Sequence, residues 1–266
     1  MGAIPRFDRM PEKELLKQNI HGAGAIIIDK FLDSIFVQDL RRDLFDLIDR
    51  EKEDGRLMET DGSLRPRGVL NLMPSRFGLL KHLSYFSEHI IGSKPVLSSC
   101  SANVVRPGAI GQGVHRDYPY FAMPEFVPPT LMSVCSVQVI VALDDFRDDN
   151  GPTLIRPASH IENTWPNQED FTRMAIPVTM SRGSILIFHG AVAHGVAPNK
   201  SYTSRAALLI TFVPHWVRPL NDLITKADPQ ILADPEWQSL LGVDFKSRIR
   251  QDMSRMGYGM ARPGQK

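Results

Sequence analysis

The sequence predicts a mainly β fold, an antiparallel sandwich or barrel with helices laid against one of its sheets. Three observations carry that expectation. After Pro95, short runs rich in Val, Ile, Ser and Thr recur at 96–106, 131–144, 152–156, 174–180, 184–189 and 205–214. Turn signals separate them: Arg106-Pro107-Gly108, Asp149-Asn150-Gly151, Arg182-Gly183 and Pro198-Asn199. The ninety residues before them instead show helical spacing.

In chain order, Ala25-Ile26-Ile27-Ile28 is apolar and β-branched, and reads as a buried strand. From Phe31 onward, Ile35, Phe36, Leu40, Leu44, Leu47 and Ile48 recur at three- and four-residue intervals, predicting an amphipathic helix to about Arg50. Asp33 or Ser34 is placed to cap it. The segment 51–68 is charged and contains glycine, so a loop is expected. A second helix follows from Ser75 to Ile91, with Phe77, Leu80, Leu83, Phe86 and Ile90 on its apolar side. Asp148-Asp149-Asn150-Gly151 between two apolar runs predicts a hairpin. Beyond Trp216 the composition turns polar and helical, and Glu236–Leu241 is a candidate homodimer contact. There is no repeat, low-complexity stretch or strong linker. One domain over 1–266 is expected, with a helical N-terminal region (1–94), a β core (95–216) and a helical tail (217–266).

Composition narrows the classes. Thirty-one Lys and Arg against 30 Asp and Glu leave a formal charge of +1, so no global field draws nucleic acid or an anionic membrane. The two cysteines, Cys100 and Cys135, lie in apolar runs, which excludes a disulfide framework and suits buried thiols in a reducing compartment. The N-terminus lacks a signal-peptide apolar region, and Arg6 breaks the myristoylation pattern that Gly2 invites. The apolar runs near 184–193 and 206–213 are too short to span a bilayer. A soluble, cytoplasmic protein with neither nucleic-acid nor membrane partners is expected.

The chemistry gathers around few residues. In Gln112-Gly113-Val114-His115-Arg116-Asp117, a strand would turn His115 and Asp117 to one face. An imidazole beside a carboxylate makes two-thirds of a facial triad, and an open mononuclear iron(II) site needs a second imidazole. His189 and His194 both qualify. Arg205, eleven residues after His194, opens the apolar strand 206–210, and the turn at Asn199-Lys200-Ser201 lets that strand run back beside the metal. A guanidinium there suits a carboxylate held by two parallel hydrogen bonds.

His-x-Asp, a later His-Gly and an Arg about ten residues on resemble the phytanoyl-CoA dioxygenase (PhyH-like) family of 2-oxoglutarate oxygenases. Further segments share the likeness. Asp144-Asp145, Asp149-Asn150-Gly151 and Pro157-Ala158-Ser159-His160 resemble that family's "DD…NG…PGSH" stretch, with Ala158 replacing a glycine. His194-Gly195-Val196-Ala197-Pro198-Asn199 resembles its "HG-x-x-x-N" segment. The likeness runs over 12–243, and 100–214 carries nearly all its specificity. It implies a double-stranded β-helix, a jelly roll of cupin-like architecture.

The resemblance further implies Fe(II), 2-oxoglutarate and dioxygen, with His115, Asp117 and His194 as iron ligands and Arg205 as the clamp on the distal carboxylate. It favours His194 over His189, and places Gln112 and Thr153 on 2-oxoglutarate. The halogenases of this fold replace the carboxylate ligand by a small residue; Asp117 is retained, so oxygenation is expected.

Other residues read less specifically. His160 closes a loop, His21 has no role, His82 and His89 fall on a helix, and His215 is at the surface. Arg116 points away from the ligands, paired with an acid. Tyr118, Tyr120 and Phe121 line an apolar substrate pocket or pack under a proline-stiffened loop, and Met73 is placed to roof the site. The expected reaction is hydroxylation, desaturation or cyclisation of a small, fairly apolar metabolite in a biosynthetic pathway. A fatty acyl-CoA hydroxylase is the rival, and a non-catalytic binding module keeping this fold is the alternative from another class.

Overall fold

The structure, a computed structural model, describes residues 3–123, 134–162, 164–165 and 167–243. The amino-terminal region contributes β1 (Arg6–Phe7), α1 (Lys13–Gly22), β2 (Ala25–Ile28), α2 (Ser34–Glu53), β3 (Met58–Thr60), β4 (Ser63–Arg65) and α3 (Phe77–Ile91). Then come β5 (Pro95–Val105), β6 (Gln112–His115), β7 (Val137–Ala142), β8 (Thr153–Ile155) and α4 (Gln168–Met174). They are followed by β9 (Ile176–Pro177), β10 (Ile185–His189), β11 (His194–Val196), β12 (Arg205–Pro214), α5 (Pro229–Ala233) and α6 (Pro235–Leu241). The expected helix contact at 236–241 is thus a helix, while 244–266 lies outside the described residues.

The strands form an eight-stranded sheet, β1-β2-β10-β7-β12-β5-β4-β3, and a four-stranded one, β6-β11-β8-β9. All pairings are antiparallel except β1 with β2. This is the antiparallel two-sheet fold with flanking helices that the sequence pattern predicts, and the jelly roll that the resemblance implies.

Alternation along the strands decides which layer each side chain joins. On β12, Ala206, Leu208, Ile210 and Phe212 pack with Leu40, Leu44 and Leu80 of α2 and α3 in the larger core. On its other face Ala207 joins Ile140, Leu186, Phe188 and Ile155 between the two sheets. Fully burying one such side chain contributes about 1.5–3 kcal/mol. Asp33 caps α2 by accepting from the Phe36 N–H at 2.8 Å.

Three expectations change. Segment 51–68 is no loop: α2 runs on to Glu53, and Met58–Arg65 folds into a hairpin. Asp61 and Gly62 turn it, with φ of +53° and +79°, the conformation an Asp-Gly hairpin turn requires. The Asp148–Gly151 hairpin does not form, because β7 and β8 belong to different sheets. The segment still turns, with Asn150 Oδ1 accepting from the Arg147 N–H and Asn150 Nδ2 donating to the Asp145 carbonyl, each at 2.8 Å. Of the run at 174–180, only Ile176–Pro177 is strand, and α4 precedes it. Cys100 and Cys135 are buried and form no disulfide.

Ala158 adopts φ +59°, the left-handed region where an L side chain costs about 1–2 kcal/mol. Ala158→Gly is therefore expected to stabilise the fold by about 0.5–1 kcal/mol, the relief being partly offset by the freer unfolded chain. Urea denaturation midpoints test this, and a lower midpoint would refute it.

Candidate metal centre and anion site

The centre sits between the sheets where β6 and β11 pair. His115 and His194 are direct cross-strand partners, which sets their rings 4.1 Å apart between centroids. Gly195 permits that approach: a Cβ there would lie 2.7 Å from the Gln112 carbonyl oxygen. Asp117 lies just past β6 rather than on it. Its place is fixed by its N–H bonding to the Gly190 carbonyl at 2.9 Å. His115, Asp117 and His194 each offer one donor atom, all within 4.8 Å of one another. His194 Nε2 is 3.3 Å from Asp117 Oδ2, close to the ~3 Å expected between neighbouring ligand atoms when metal bonds are about 2.1 Å.

The hydrogen bonds select the ligating nitrogens. His194 Nδ1 donates to the Val192 carbonyl and His115 Nδ1 to the Gly113 carbonyl, each at 3.0 Å, leaving both Nε2 atoms as the ligating ones: that of His194 faces Asp117, and that of His115 lies 3.5 Å from Gln112 Nε2. Burial holds both rings neutral, pulling each down to about 4; the neighbouring His194 charge lowers His115 further. Burial pushes the Asp117 carboxyl up to about 6, against the pull of His115. Two neutral imidazoles and a carboxylate suit a divalent transition metal and leave further coordination positions open.

His189 stands apart from this set. Its Nδ1 accepts from the Ala191 N–H at 3.0 Å, and its ring packs between Tyr120 and His160, at 5.4 and 5.0 Å. His160 closes a loop as expected, its Nε2 meeting the His21 carbonyl at 3.1 Å.

A cavity of about 270 Å³ opens from the metal centre. Gln112, Thr153 and Arg205 all line it, as do Tyr118 and Phe121. Arg205 is 1% exposed. Its Nε donates to the Gly151 carbonyl at 3.1 Å, a second N–H reaches the same oxygen, and its guanidinium lies 4.2 Å over the Phe146 ring. Burial lowers its pKa to about 9, with Asp144 opposing. Asp144 pairs with Arg41 instead, and no carboxylate among the described residues forms an ion pair with Arg205, so a buried cation faces the cavity without a direct partner.

Two expected contacts lie elsewhere. Met73 is fully buried in the helix-side core, so it does not roof the site. Tyr120 turns away as well: its hydroxyl accepts from the Cys135 N–H at 2.8 Å in a separate apolar cluster. Arg116 is buried but meets carbonyls rather than an acid: its Nη2 donates to Ser159, Glu162 and Thr164 at 3.2, 3.4 and 3.0 Å. Sequence reasoning missed Arg65, which lines the cavity from β4 and donates to Gln112 Oε1 at 3.3 Å. Burial lowers its pKa too. The Asp61-Gly62 dipeptide was the signal that would have placed it on a strand.

Known proteins resemble this chain. Dioxygenase FUM3 of Gibberella moniliformis is 27% identical over 221 residues, covering 74% of this chain and 70% of that protein. Dioxygenase cdmA of Talaromyces verruculosus is 27% identical over 266 residues, covering 90% and 83%. Among solved structures, the epimerase SnoN in complex with Fe3+, alpha-ketoglutarate and nogalamycin RO shares the fold. Its TM-score is 0.60 at 16% identity, over 84% of this chain and 92% of that one. The model of the family described as phytanoyl-CoA dioxygenase (PhyH) matches residues 20–207, most of the chain. With a jelly roll, two facing histidines and a carboxylate in place, the chain belongs to the phytanoyl-CoA dioxygenase family.

Proposed function

We propose that the chain is an Fe(II)- and 2-oxoglutarate-dependent dioxygenase that oxidises a small molecule. One observation carries this reading: a neutral two-histidine, one-carboxylate donor set shares a cavity with a buried arginine that has no ion-paired carboxylate among the described residues. His115, Asp117 and His194 would hold the iron. Arg205 would hold the distal carboxylate of 2-oxoglutarate in a charge-assisted pair, with Thr153 and Gln112 hydrogen-bonding it and Arg65 adding a second positive charge. The bound iron supplies oxygen activation coupled to 2-oxoglutarate decarboxylation, and the outcome on substrate is hydroxylation, desaturation or cyclisation.

The protein's share is orientation and exclusion of water. The backbone carbonyls at Val192 and Gly113 lock the imidazole tautomers. Tyr118 and Phe121 flank the cavity and would rest against the apolar part of a substrate. SnoN, of the same fold, is a relevant parallel, since it binds iron and alpha-ketoglutarate together with its ligand.

Anaerobic titration of the protein with Fe(II) and then 2-oxoglutarate tests the reading. The expected result is a visible charge-transfer band that saturates at one iron and one 2-oxoglutarate per chain. Folded protein that binds neither would overturn it in favour of a binding module.

A further inference from the structure

Facing surfaces of two packed sheets are ordinarily apolar, because a polar group buried there without a partner costs free energy. The cavity wall formed by β5, β7 and β12 departs from this. Ser99, Ser101, Asn103, Gln138 and Thr211 line it. Four of them, Ser99, Asn103, Gln138 and Thr211, are no more than 8% exposed.

A register shift on β12 produces the arrangement: Thr211 pairs with Ser99 but Phe212 pairs with Leu97. Ser98 is thus an extra residue on β5, a bulge that sends Leu97 to the helix-side core while Ser99, Ser101 and Asn103 face the cavity.

The wall's own hydrogen bonds leave groups over. Thr211 Oγ1 donates to Gln138 Oε1 at 2.6 Å, fixing the amide and leaving its NH2 without a partner among the described residues. Asn221 Nδ2 donates to Ser99 Oγ at 2.9 Å, which leaves the Ser99 hydroxyl proton to give. Ser101 reaches the Leu209 carbonyl only at 3.5 Å. Asn103 Oδ1 is enclosed and has no partner among the described residues. Buried polar groups are retained in this state where a ligand or water completes them.

We infer that this wall recognises the substrate, and that the substrate is a multiply oxygenated molecule, a polyol or an amide, rather than a hydrocarbon chain. An oxygen of the substrate would accept from Gln138 Nε2, from the Ser99 hydroxyl and from the Asn103 Nδ2, the Asn103 Oδ1 being itself enclosed. The inference rests on the oxygenase reading above and sharpens it: a fairly apolar substrate fits the Tyr118 and Phe121 side but leaves the opposite wall unsatisfied. An acyl chain would do the same.

Saturation-transfer NMR on the metal-free protein tests it, with cis-1,2-cyclohexanediol and methylcyclohexane as probes of similar size. Wild type should bind the diol at least tenfold more tightly. The paired change Gln138→Leu with Thr211→Val, which removes both partners together and leaves no orphan, should reverse that preference. Asn103→Leu should weaken the diol about tenfold, a loss of one buried hydrogen bond to a neutral group. Methylcyclohexane binding wild type as well as the diol, or variants that bind the diol undiminished, would overturn the inference.

The Fe(II)·2-oxoglutarate band, followed in the same proteins, separates this outcome from the earlier one. Its retention in the variants supports a wall distinct from the cosubstrate site. Its loss in Asn103→Leu assigns that residue to 2-oxoglutarate and overturns the inference. Its absence in wild type overturns the oxygenase reading, while a diol preference still reports on the wall. If the paired variant fails to fold, Asn103→Leu and the wild-type comparison of the two probes decide.

Discussion

Arg205→Met loses 2-oxoglutarate binding while leaving the metal-free fold as stable as wild type, or more so. The two halves have one cause. The Arg205 guanidinium is buried at 1% exposure against the Phe146 ring and the Gly151 carbonyl, with no ion-paired carboxylate among the described residues. A charge in that setting costs the fold free energy until an anion arrives. Removing one partner of a buried charge pair costs about 2–5 kcal/mol of binding, roughly 30-fold to several-thousand-fold in affinity. Titrating 2-oxoglutarate into the Fe(II)-loaded protein reads the affinity, and thermal unfolding of metal-free protein reads the fold. Arg205→Lys should recover only part of the affinity, because an ammonium cannot donate the parallel pair. An unaltered 2-oxoglutarate requirement in Arg205→Met would remove the clamp from the proposal. A large loss of stability would instead mark Arg205 as structural.

The second large effect divides His194 from His189. His194→Ala should lower iron affinity by more than the roughly 10–100-fold that follows loss of a group supporting a ligand, since the ligand itself is gone. His189→Ala should bind iron nearly as wild type does. Its cost falls on the fold, about 2–4 kcal/mol, because a buried ring leaves a cavity beside Tyr120 and His160 and the Ala191 N–H loses its acceptor. Equilibrium dialysis with Fe(II) and urea denaturation separate the two effects. Iron lost with His189 and kept without His194 would exchange their roles.

The pH dependence of stability carries the same assignment. Burial first, and the His160 charge second, hold His189 down to about 3 in the folded protein. In the unfolded chain an imidazole titrates near 6.5. Its folded value is depressed, so the unfolded chain binds the proton first. Stability from His189 is therefore present above pH ~6.5 and falls by up to ~1.4 kcal/mol per unit as the pH drops toward 3. His189→Gln should make the decline shallower over that window. An identical decline in wild type and variant would show that other groups carry it.

The elements that periodicity expresses were legible. The α2 stripe from Phe36 to Ile48, the α3 stripe from Phe77 to Ile90 and the apolar run of β12 stand in the structure where the spacing places them, while Ile35, expected on the α2 stripe, is exposed. Each depends on a repeat of about 3.6 or 2 residues that needs no partner to be seen. The Asp148–Gly151 turn was legible as a turn, but not as a crossing between sheets. Turn chemistry specifies how the chain bends, and not which sheet the next strand joins.

His115, Asp117 and Arg205 were singled out in the sequence by residue type and spacing, and His194 over His189 by the family resemblance; the structure brings all four to one cavity. Arg65, Asn103, Gln138 and Thr211 were not singled out, because each is one polar residue in a strand or charged segment with nothing local to distinguish it. Met73 and Tyr120 erred the other way: Tyr120 was suggested by its closeness to the motif and Met73 as part of an N-terminal element that could roof the site, and burial took both into apolar clusters.

By itself, then, the sequence determined the periodic helices and strands, the His115–Asp117 pair with His189 and His194 as alternative third ligands, and the chemistry such donors favour, since these follow from local spacing and side-chain type. The resemblance favoured His194 over His189, but only the tertiary structure gives the reason it faces Asp117, through the β6–β11 register that opposes His194 to His115. It alone put a polar wall across from Tyr118 and Phe121. Both outcomes depend on strand pairings between residues far apart in the chain, and a one-residue slip in such a pairing would turn every side chain to the other face.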